Sequence, residues 1–228
     1  MVKQQAMQIG RVARALARRY GSPSHHNRRN PFEELLFILC SLQTNEELYL
    51  GTFRSLRRSF PRSALLAKVS ESQIAAAIQR GGLSAQKARA ISLITRRLQS
   101  EFGRVTLAPL RQRTTAACEA FLTSLPGIGT KTARCILMYS LGRSVFPVDT
   151  HCWRICRRLG WVHHTRGDAS CGPQDMDRLQ SLIPPRLRFS LHVNMVAFGR
   201  DTCAPGKPKC SACAIQAYCK GVGVAGRV

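Results

Sequence analysis

The chain has 228 residues, enough to bury a sizeable core as one domain or as two small ones. Its 35 lysines and arginines against 12 aspartates and glutamates give a net charge of +23, spread along the whole sequence. Such a charge predicts a nucleic-acid partner, because each neutralised phosphate releases counterions; a generally basic proteome is the alternative. The longest apolar run, at 35–40, is far too short to span a membrane, so we expect no membrane partner.

The first twenty residues are rich in arginine and lack acidic residues, as in a transit peptide. They also carry an apolar stripe that suits a native first helix, formed by Ile9, Val12, Ala13, Leu16 and Tyr20. We therefore expect a cytoplasmic, nucleoid-associated protein. Its ten cysteines would then indicate metal binding or catalysis rather than disulfides.

The next predicted helix begins at Pro31, with Asn30 as N-cap and Glu33 closing a capping box. Its residues 35–40 are apolar on every side, which predicts a central place in a core. Polar residues interrupt it at Gln43. If this glutamine is buried it needs partners, either as a helix cap or by hydrogen bonding to a base or a strand gap.

Two further helices follow, one opened by a capping box at Ser70 and the other running over Ser84–Phe102, ended by Gly103. Leu83 lies at the tip of the loop before the second of them. It would either pack into the core or, as an exposed apolar tip, wedge into a base stack.

A glycine-rich hairpin joins a helix at about 116–124 to another at about 130–141, through the sequence LPGIGT. We expect Gly127 and Gly129 to take unusual φ values and to let backbone N–H groups approach an anion. The phosphate would sit at the start of the second helix, near Thr130, where the helix dipole favours it. Lys131 lies in the first turn of that helix, so a phosphate site stands next to a primary amine.

Asp149 is predicted to be the N-cap of the helix 150–159, which Gly160 ends. Strand-type alternation is absent from the sequence, so we predict an all-α protein.

Four cysteines within seventeen residues end the chain in the spacing C-x6-C-x2-C-x5-C. Four thiolates in so polar a stretch can surround a metal ion or an iron–sulfur cluster, and a structural zinc is the alternative. The loop between the first two also carries two lysines that could face phosphates. The residues are Cys203, Cys210, Cys213 and Cys219, with Lys207 and Lys209.

The other six cysteines show no such grouping, and we expect most of them to be small buried hydrophobic residues. A second metal site could be assigned to Cys152, Cys156, Cys171 and the histidines at 163–164, but their spacing contains no closely spaced pair of ligands.

Together, LPGIGTKTA at 125–133, VDTH at 148–151 and the four-cysteine ending closely resemble endonuclease III, a family of helix-hairpin-helix DNA glycosylases of base excision repair that carry a [4Fe–4S] cluster. The resemblance spans about 31–219 and implies two helical lobes. A six-helix barrel with the hairpin would occupy 24–143, and 1–23 plus 144–228 would form the cluster lobe. By this resemblance Lys131 is the nucleophile and Asp149 its carboxylate partner, facing each other across a cleft.

The resemblance also implies a monomer acting on double-stranded DNA that contains damaged bases or abasic sites. The expected DNA contacts lie in the hairpin, in the loops and in the segment 203–219 that holds the four cysteines, called the cluster segment below. They are Gln43, Leu83, Gly127, Gly129, Thr130, His151, Lys207 and Lys209. The expected reaction is glycosylase and AP lyase chemistry, in which an amine attacks C1′ and an imine permits β-elimination. The damaged base must first leave the stack.

Two related classes fit less well. Adenine glycosylases have a glutamate where this chain has Leu39, and thymine-mismatch glycosylases have an aromatic residue at the position of Lys131. Asn45-Glu46 replaces the usual threonine–aspartate pair. We expect an enzyme for oxidised pyrimidines of the thymine glycol type. The alternatives are an enzyme for a different lesion, such as 8-oxoguanine, and a non-catalytic DNA-binding module.

Overall fold

The computed structural model describes residues 2–162 and 171–224, so the histidines at 163–164 lie outside the described residues. All regular structure in these ranges is helical, which confirms the all-α prediction. The helices are α1 (Val2–Tyr20), α2 (Pro31–Ser41), α3 (Glu46–Ser59), α4 (Glu71–Ala77), α5 (Ser84–Phe102), α6 (Thr115–Thr123), α7 (Thr130–Tyr139), α8 (Thr150–Arg158), α9 (Pro173–Leu182) and α10 (Pro185–Asp201). Among the helices described, none has the length and apolar character needed to cross a bilayer.

The chain divides into two compact units. One is continuous, Asn27–Arg143, and contains α2 to α7; the other combines Met1–His26 with Ser144–Val228. The sequence-based division placed the boundaries at 23/24 and 143/144.

Helix α2 forms the centre of the continuous unit, where it packs against α3, α5 and α7. The Asn30 side chain accepts hydrogen bonds from the backbone N–H groups of Phe32 and Glu33, so the predicted N-cap is correct. Glu33 was expected to close a capping box, but its carboxylate instead pairs with Arg57 Nε of α3 at 3.2 Å. Every residue from Leu35 to Cys40 is buried, as the apolar sequence predicts.

The predicted start of α4 and both predicted ends of α5 are confirmed. Ser70 and Gln73 form a reciprocal capping box at the start of α4. Helix α5 covers Ser84–Phe102 and ends at Gly103, whose φ of 68° lies in the left-handed region that glycine adopts without strain.

The discontinuous unit is built around α10, which packs against both α1 and α8. The predicted apolar stripe of α1 is buried there, with Ile9, Val12 and Leu16 fully enclosed. Trp161 Nε1 donates to Gln8 Oε1 of α1 at 3.1 Å, which ties the end of the α8 segment to the first helix. The termini of the described chain therefore share one core.

Candidate active site and nucleic-acid interface

The glycine-rich hairpin between α6 and α7 is anchored by two apolar side chains and exposed at its glycines. Leu125 and Ile128 are 2% and 4% exposed, and Ile128 N–H donates to Leu125 O at 3.1 Å to close the turn. Gly127 has a φ of 76°, as expected. Gly129 does not: its φ of −90° and ψ of 174° are open to any residue, so that part of the prediction is wrong.

The role of Gly129 lies instead in its missing side chain. It is the N-cap of α7, and no side chain caps the helix there. The first N–H groups of an α-helix have no intrahelical partner, and they attract anions together with the helix dipole. Thr130 and Lys131, both partly buried, occupy the first two positions of α7 beside this uncapped helix start.

The two helices of the hairpin are also joined by an ion pair that the sequence pattern did not indicate. The guanidinium of Arg134, 3% exposed, contacts Glu119 Oε1 of α6 at 3.0 Å through both Nε and Nη2. This charge-assisted contact joins α6 to α7 on either side of the turn.

A buried carboxylate lies in the same unit as Lys131. Glu34 of α2 is fully buried and accepts hydrogen bonds from Asn27 Nδ2 at 2.5 Å and Arg28 N–H at 2.6 Å. Burial raises its pKa, against the opposing effect of these hydrogen bonds and of the charges on Arg28 and Lys131. The helix that carries Lys131 therefore packs on a helix with an acid buried near its start.

Asp149 caps α8, as predicted. Its Oδ1 accepts from Cys152 N–H at 2.8 Å, and its side chain is partly buried at the helix start, where the dipole favours a carboxylate. Burial, followed by the charge of this carboxylate, raises the pKa of the Cys152 thiol well above its usual range. Cys152 is thus a neutral buried group at pH 7. The predicted approach of Lys131 and Asp149 across a cleft stays a prediction.

His151 lies half-buried on α8 and is held by an arginine. Arg154 Nη2 lies 3.0 Å from His151 Nδ1, and since a guanidinium only donates, Nδ1 is the acceptor. Burial lowers the pKa of His151, opposed by the Asp149 charge and assisted by those of Arg154 and Arg200. The ring is therefore neutral at pH 7, and its predicted DNA contact would be a neutral one.

The two loop residues of the continuous unit that were predicted to contact DNA share an unusual backbone conformation. Gln43 and Leu83 have φ values of 50° and 49°, in the left-handed region that only a few per cent of non-glycine residues occupy. Gln43 is exposed rather than buried, because α2 ends at Ser41. Leu83 is 49% exposed, which excludes the core-packing alternative. Sequence patterns did not indicate that one buried residue, Lys87, bonds to both loops.

The four C-terminal cysteines line one pocket together with apolar side chains of α8 and α10. Arg158 Nη1 lies 3.1 Å from Cys203 Sγ, and Gly221 N–H lies 3.4 Å from Cys219 Sγ. Burial, with the three other thiols nearby, raises the pKa of the Cys213 thiol. No group of three or more His, Cys, Asp or Glu within residues 2–162 and 171–224 is arranged to hold a metal ion.

The donors present nevertheless fit a cluster better than a hydrophobic core. A pocket with four thiols, a guanidinium and a backbone N–H at the sulfurs provides the ligand type and the hydrogen bonds that iron–sulfur clusters use. Of the remaining cysteines, Cys171 is partly buried and the other five are buried, as expected for small hydrophobic residues.

The lysines of the cluster segment lie at the surface. Lys207 is exposed, and Lys209 is 66% exposed with its Nζ 3.7 Å from Asp201 Oδ1. This exposed pair contributes little to stability, so Lys209 can exchange the carboxylate for a phosphate.

Comparisons with known proteins identify the superfamily to which the chain belongs. The family profile described as HhH-GPD superfamily base excision DNA repair protein matches residues 37–174, more than half of the chain. A candidate DNA glycosylase of Arabidopsis thaliana, At3g47830, is 35% identical over 73% of this chain, which spans 55% of that protein. A non-covalent endonuclease III–DNA complex shares the fold, with a TM-score of 0.81 at 24% identity and 95% coverage of both chains.

The chain belongs to the endonuclease III family within this superfamily. Endonuclease III of Thermotoga maritima is 30% identical to it over 93% of this chain and 92% of that protein. The prediction of an endonuclease III-like enzyme of base excision repair is confirmed at the level of the family.

Proposed function

We propose that the chain is a bifunctional DNA glycosylase and AP lyase that removes oxidised pyrimidines from double-stranded DNA. The observation that carries this proposal is the placement of Lys131, in the first turn of a helix whose start is uncapped and preceded by exposed glycines. A phosphate bound at that start would hold the DNA backbone within reach of the amine. Family membership supports the same chemistry.

In the proposed reaction the neutral amine of Lys131 attacks C1′ of the damaged nucleotide. The C1′–N bond to the base breaks, the base leaves with the electron pair and takes up a proton, and the sugar ring opens to an imine. Positive charge builds on the sugar in the transition state, which the Asp149 carboxylate stabilises. The imine acidifies the 2′ proton; loss of that proton breaks the bond from C3′ to the phosphate oxygen, and water then releases the enzyme.

The surrounding residues supply binding rather than chemistry. The net charge of +23 and the exposed lysines of the cluster segment attract phosphates. Gln43 and Leu83, exposed at two loop tips, are suited to fill the gap that an extruded base leaves. A cluster held by Cys203, Cys210, Cys213 and Cys219 would cross-link this segment to the end of α10 when bound.

The experiment that tests the reaction is reductive trapping. Borohydride should link the wild-type protein covalently to a duplex with a thymine glycol or an abasic site. Lys131→Ala should abolish the adduct while duplex binding is nearly retained. Lys68→Ala, which removes an exposed lysine outside the predicted DNA contacts, serves as the control. An adduct that Lys131→Ala forms at the wild-type rate would place the nucleophile elsewhere.

The same assay distinguishes the substrate alternatives. Duplexes that each carry one lesion should be trapped most rapidly with thymine glycol, and faster trapping with 8-oxoguanine would assign the enzyme to that lesion instead. For the cluster, purified protein should contain iron and sulfide, and Cys213→Ser should lower both together with solubility. Stoichiometric zinc without visible absorbance would contradict the cluster.

A further inference from the structure

Lys87 is a buried lysine whose ammonium group donates all of its hydrogen bonds to uncharged oxygens. The residue lies in the first turn of α5 and is 4% exposed. Its Nζ donates to Cys40 O at 3.1 Å, to Thr44 Oγ1 at 2.9 Å and to Gly81 O at 2.9 Å. An ammonium has three N–H donors, so these three bonds account for all of them. Burying a charge is costly without such compensation, which indicates a specific role for the lysine.

The three oxygens belong to two segments that are distant in sequence: the end of α2 with the loop that follows it, and the loop before α5. Cys40 and Thr44 flank Gln43, and Gly81 lies two residues before Leu83. The loops also bond directly, since Thr44 Oγ1 lies 2.6 Å from Gly81 O. Lys87 is thus the shared centre of both loops.

The two loop tips that surround this centre are strained. Both Gln43 and Leu83 adopt left-handed backbone conformations without being glycine. Such residues cost about 1 kcal/mol or more each and persist only where the surrounding structure holds them. Leu83 is held further, because its carbonyl accepts the Lys87 backbone N–H at 3.0 Å.

The loop before α5 also packs closely against α3. A Cβ on Gly81 would lie 2.7 Å from both Cγ2 and Oγ1 of Thr52, so the glycine backbone sits directly against that buried side chain. The loop is therefore fixed on one side by α3 and on the other by Lys87.

From this geometry we propose that Lys87 is a positioning residue that sets Gln43 and Leu83 for insertion into the duplex at the damaged nucleotide. The inference rests on the proposed function and adds a residue that never touches DNA. An apolar side chain at this position would remove three N–H donors, so that Cys40 O loses the bond from Lys87 and Gly81 O keeps only the bond from Thr44, and both loop tips would be released. The hydrogen bonds of Lys87 would then offset the cost of the left-handed backbone at Gln43 and Leu83 before DNA binds.

The test compares Lys87→Met with Arg96→Met. Methionine keeps the length of the side chain and removes the three donors, whereas Arg96, exposed on the same helix, controls for the loss of one positive charge. Each protein is measured on a duplex with a tetrahydrofuran abasic analogue, on the same duplex undamaged, and for AP lyase rate on a single strand with an abasic site. A single strand has no stack to open, so its cleavage needs no inserted loop.

We expect Lys87→Met to lower the affinity ratio between analogue and undamaged duplex at least about tenfold, equivalent to about 1.4 kcal/mol. Affinity for undamaged duplex and the single-strand rate should match those of Arg96→Met. An unchanged ratio would overturn the inference, and so would a parallel fall in all three measurements, which would make Lys87 a general stability residue. If the wild-type protein itself neither prefers the analogue nor cleaves the strand, the proposed function fails instead.

A milder variant covers the case in which Lys87→Met does not fold. Thr44→Val removes one acceptor and the direct link to Gly81 while the lysine stays. It should lower the same ratio in the same direction and speed amide hydrogen exchange at Gly82 and Leu83 but not in the middle of α5. Wild-type exchange and an unchanged ratio in Thr44→Val would likewise overturn the inference.

Discussion

Replacing Asp149 by asparagine and by alanine separates the two roles that the structure gives to this side chain. The carboxylate caps α8 through the hydrogen bond from Cys152 N–H at 2.8 Å, and in the proposed reaction it also stabilises charge on the sugar. Asparagine keeps the capping oxygen and loses the charge, whereas alanine loses both.

The capping role predicts a difference in stability between the two variants. Loss of an N-cap costs about 1 kcal/mol, so Asp149→Ala should unfold about 2–4 °C below the wild type in a chain of this size. Asp149→Asn should lie closer to the wild type, because asparagine caps helices as well as aspartate does. Thermal melts of purified proteins measure this difference.

The catalytic role predicts that both variants lose activity equally. Removing one group that stabilises transition-state charge costs about 10²- to 10³-fold in rate. Excision of thymine glycol under single-turnover conditions should fall by that factor in both, and cleavage of a preformed abasic site should fall much less. Glu71→Gln removes a carboxylate from the first turn of α4 and should leave both rates unchanged.

Two results would refute this reasoning. Wild-type excision by Asp149→Asn would show that the charge is not used, and equal melting temperatures for the alanine and asparagine variants would show that the cap contributes nothing.

Three further predictions concern other sites. Gly199→Ala should destabilise the protein by about 1–3 kcal/mol in denaturant unfolding, because the new Cβ would lie 2.7 Å from His151 Cβ and Nδ1; wild-type stability would contradict this contact. Asp201→Asn should raise the affinity for undamaged duplex at low salt by releasing Lys209, and Lys209→Ala should lower it and flatten the log–log salt slope by about 0.9 per lost phosphate contact. Burial raises the pKa of Glu34, so the folded protein binds a proton at this carboxyl more tightly than the unfolded chain does. The free energy of unfolding therefore falls as the pH rises through the folded-state pKa. Glu34→Gln should reduce this loss between denaturant melts at about pH 4 and pH 7, and parallel pH profiles of variant and wild type would contradict it.

Local signals in the sequence predicted the helix boundaries well. Asn30, Ser70 and Asp149 bond to backbone groups two or three residues away, and Gly103 ends its own helix, so each of these features is decided within one turn of chain. The hairpin around Gly127 was predicted for the same reason, because its signal lies within a few consecutive residues.

The features that sequence reasoning missed depend on contacts between distant segments. Lys87 bonds to an oxygen 47 residues earlier, and Arg158 bonds to carbonyls more than 40 residues later. A pattern of residue types does not reveal which distant carbonyl a buried cation will meet. The sequence left open whether Gln43 is buried, and its exposure is decided by where α2 ends.

The discontinuous unit has a consequence for synthesis on the ribosome. Helix α1 packs on α10, and 181 residues separate the end of α1 at Tyr20 from the end of α10 at Asp201. At about 5–20 residues per second, the apolar face of α1 waits roughly 10–35 s for its partner, while residues 27–143 are complete and able to fold in between. During that interval Ile9, Val12 and Leu16 present an unburied stripe, so the nascent chain is most exposed to misfolding at its beginning.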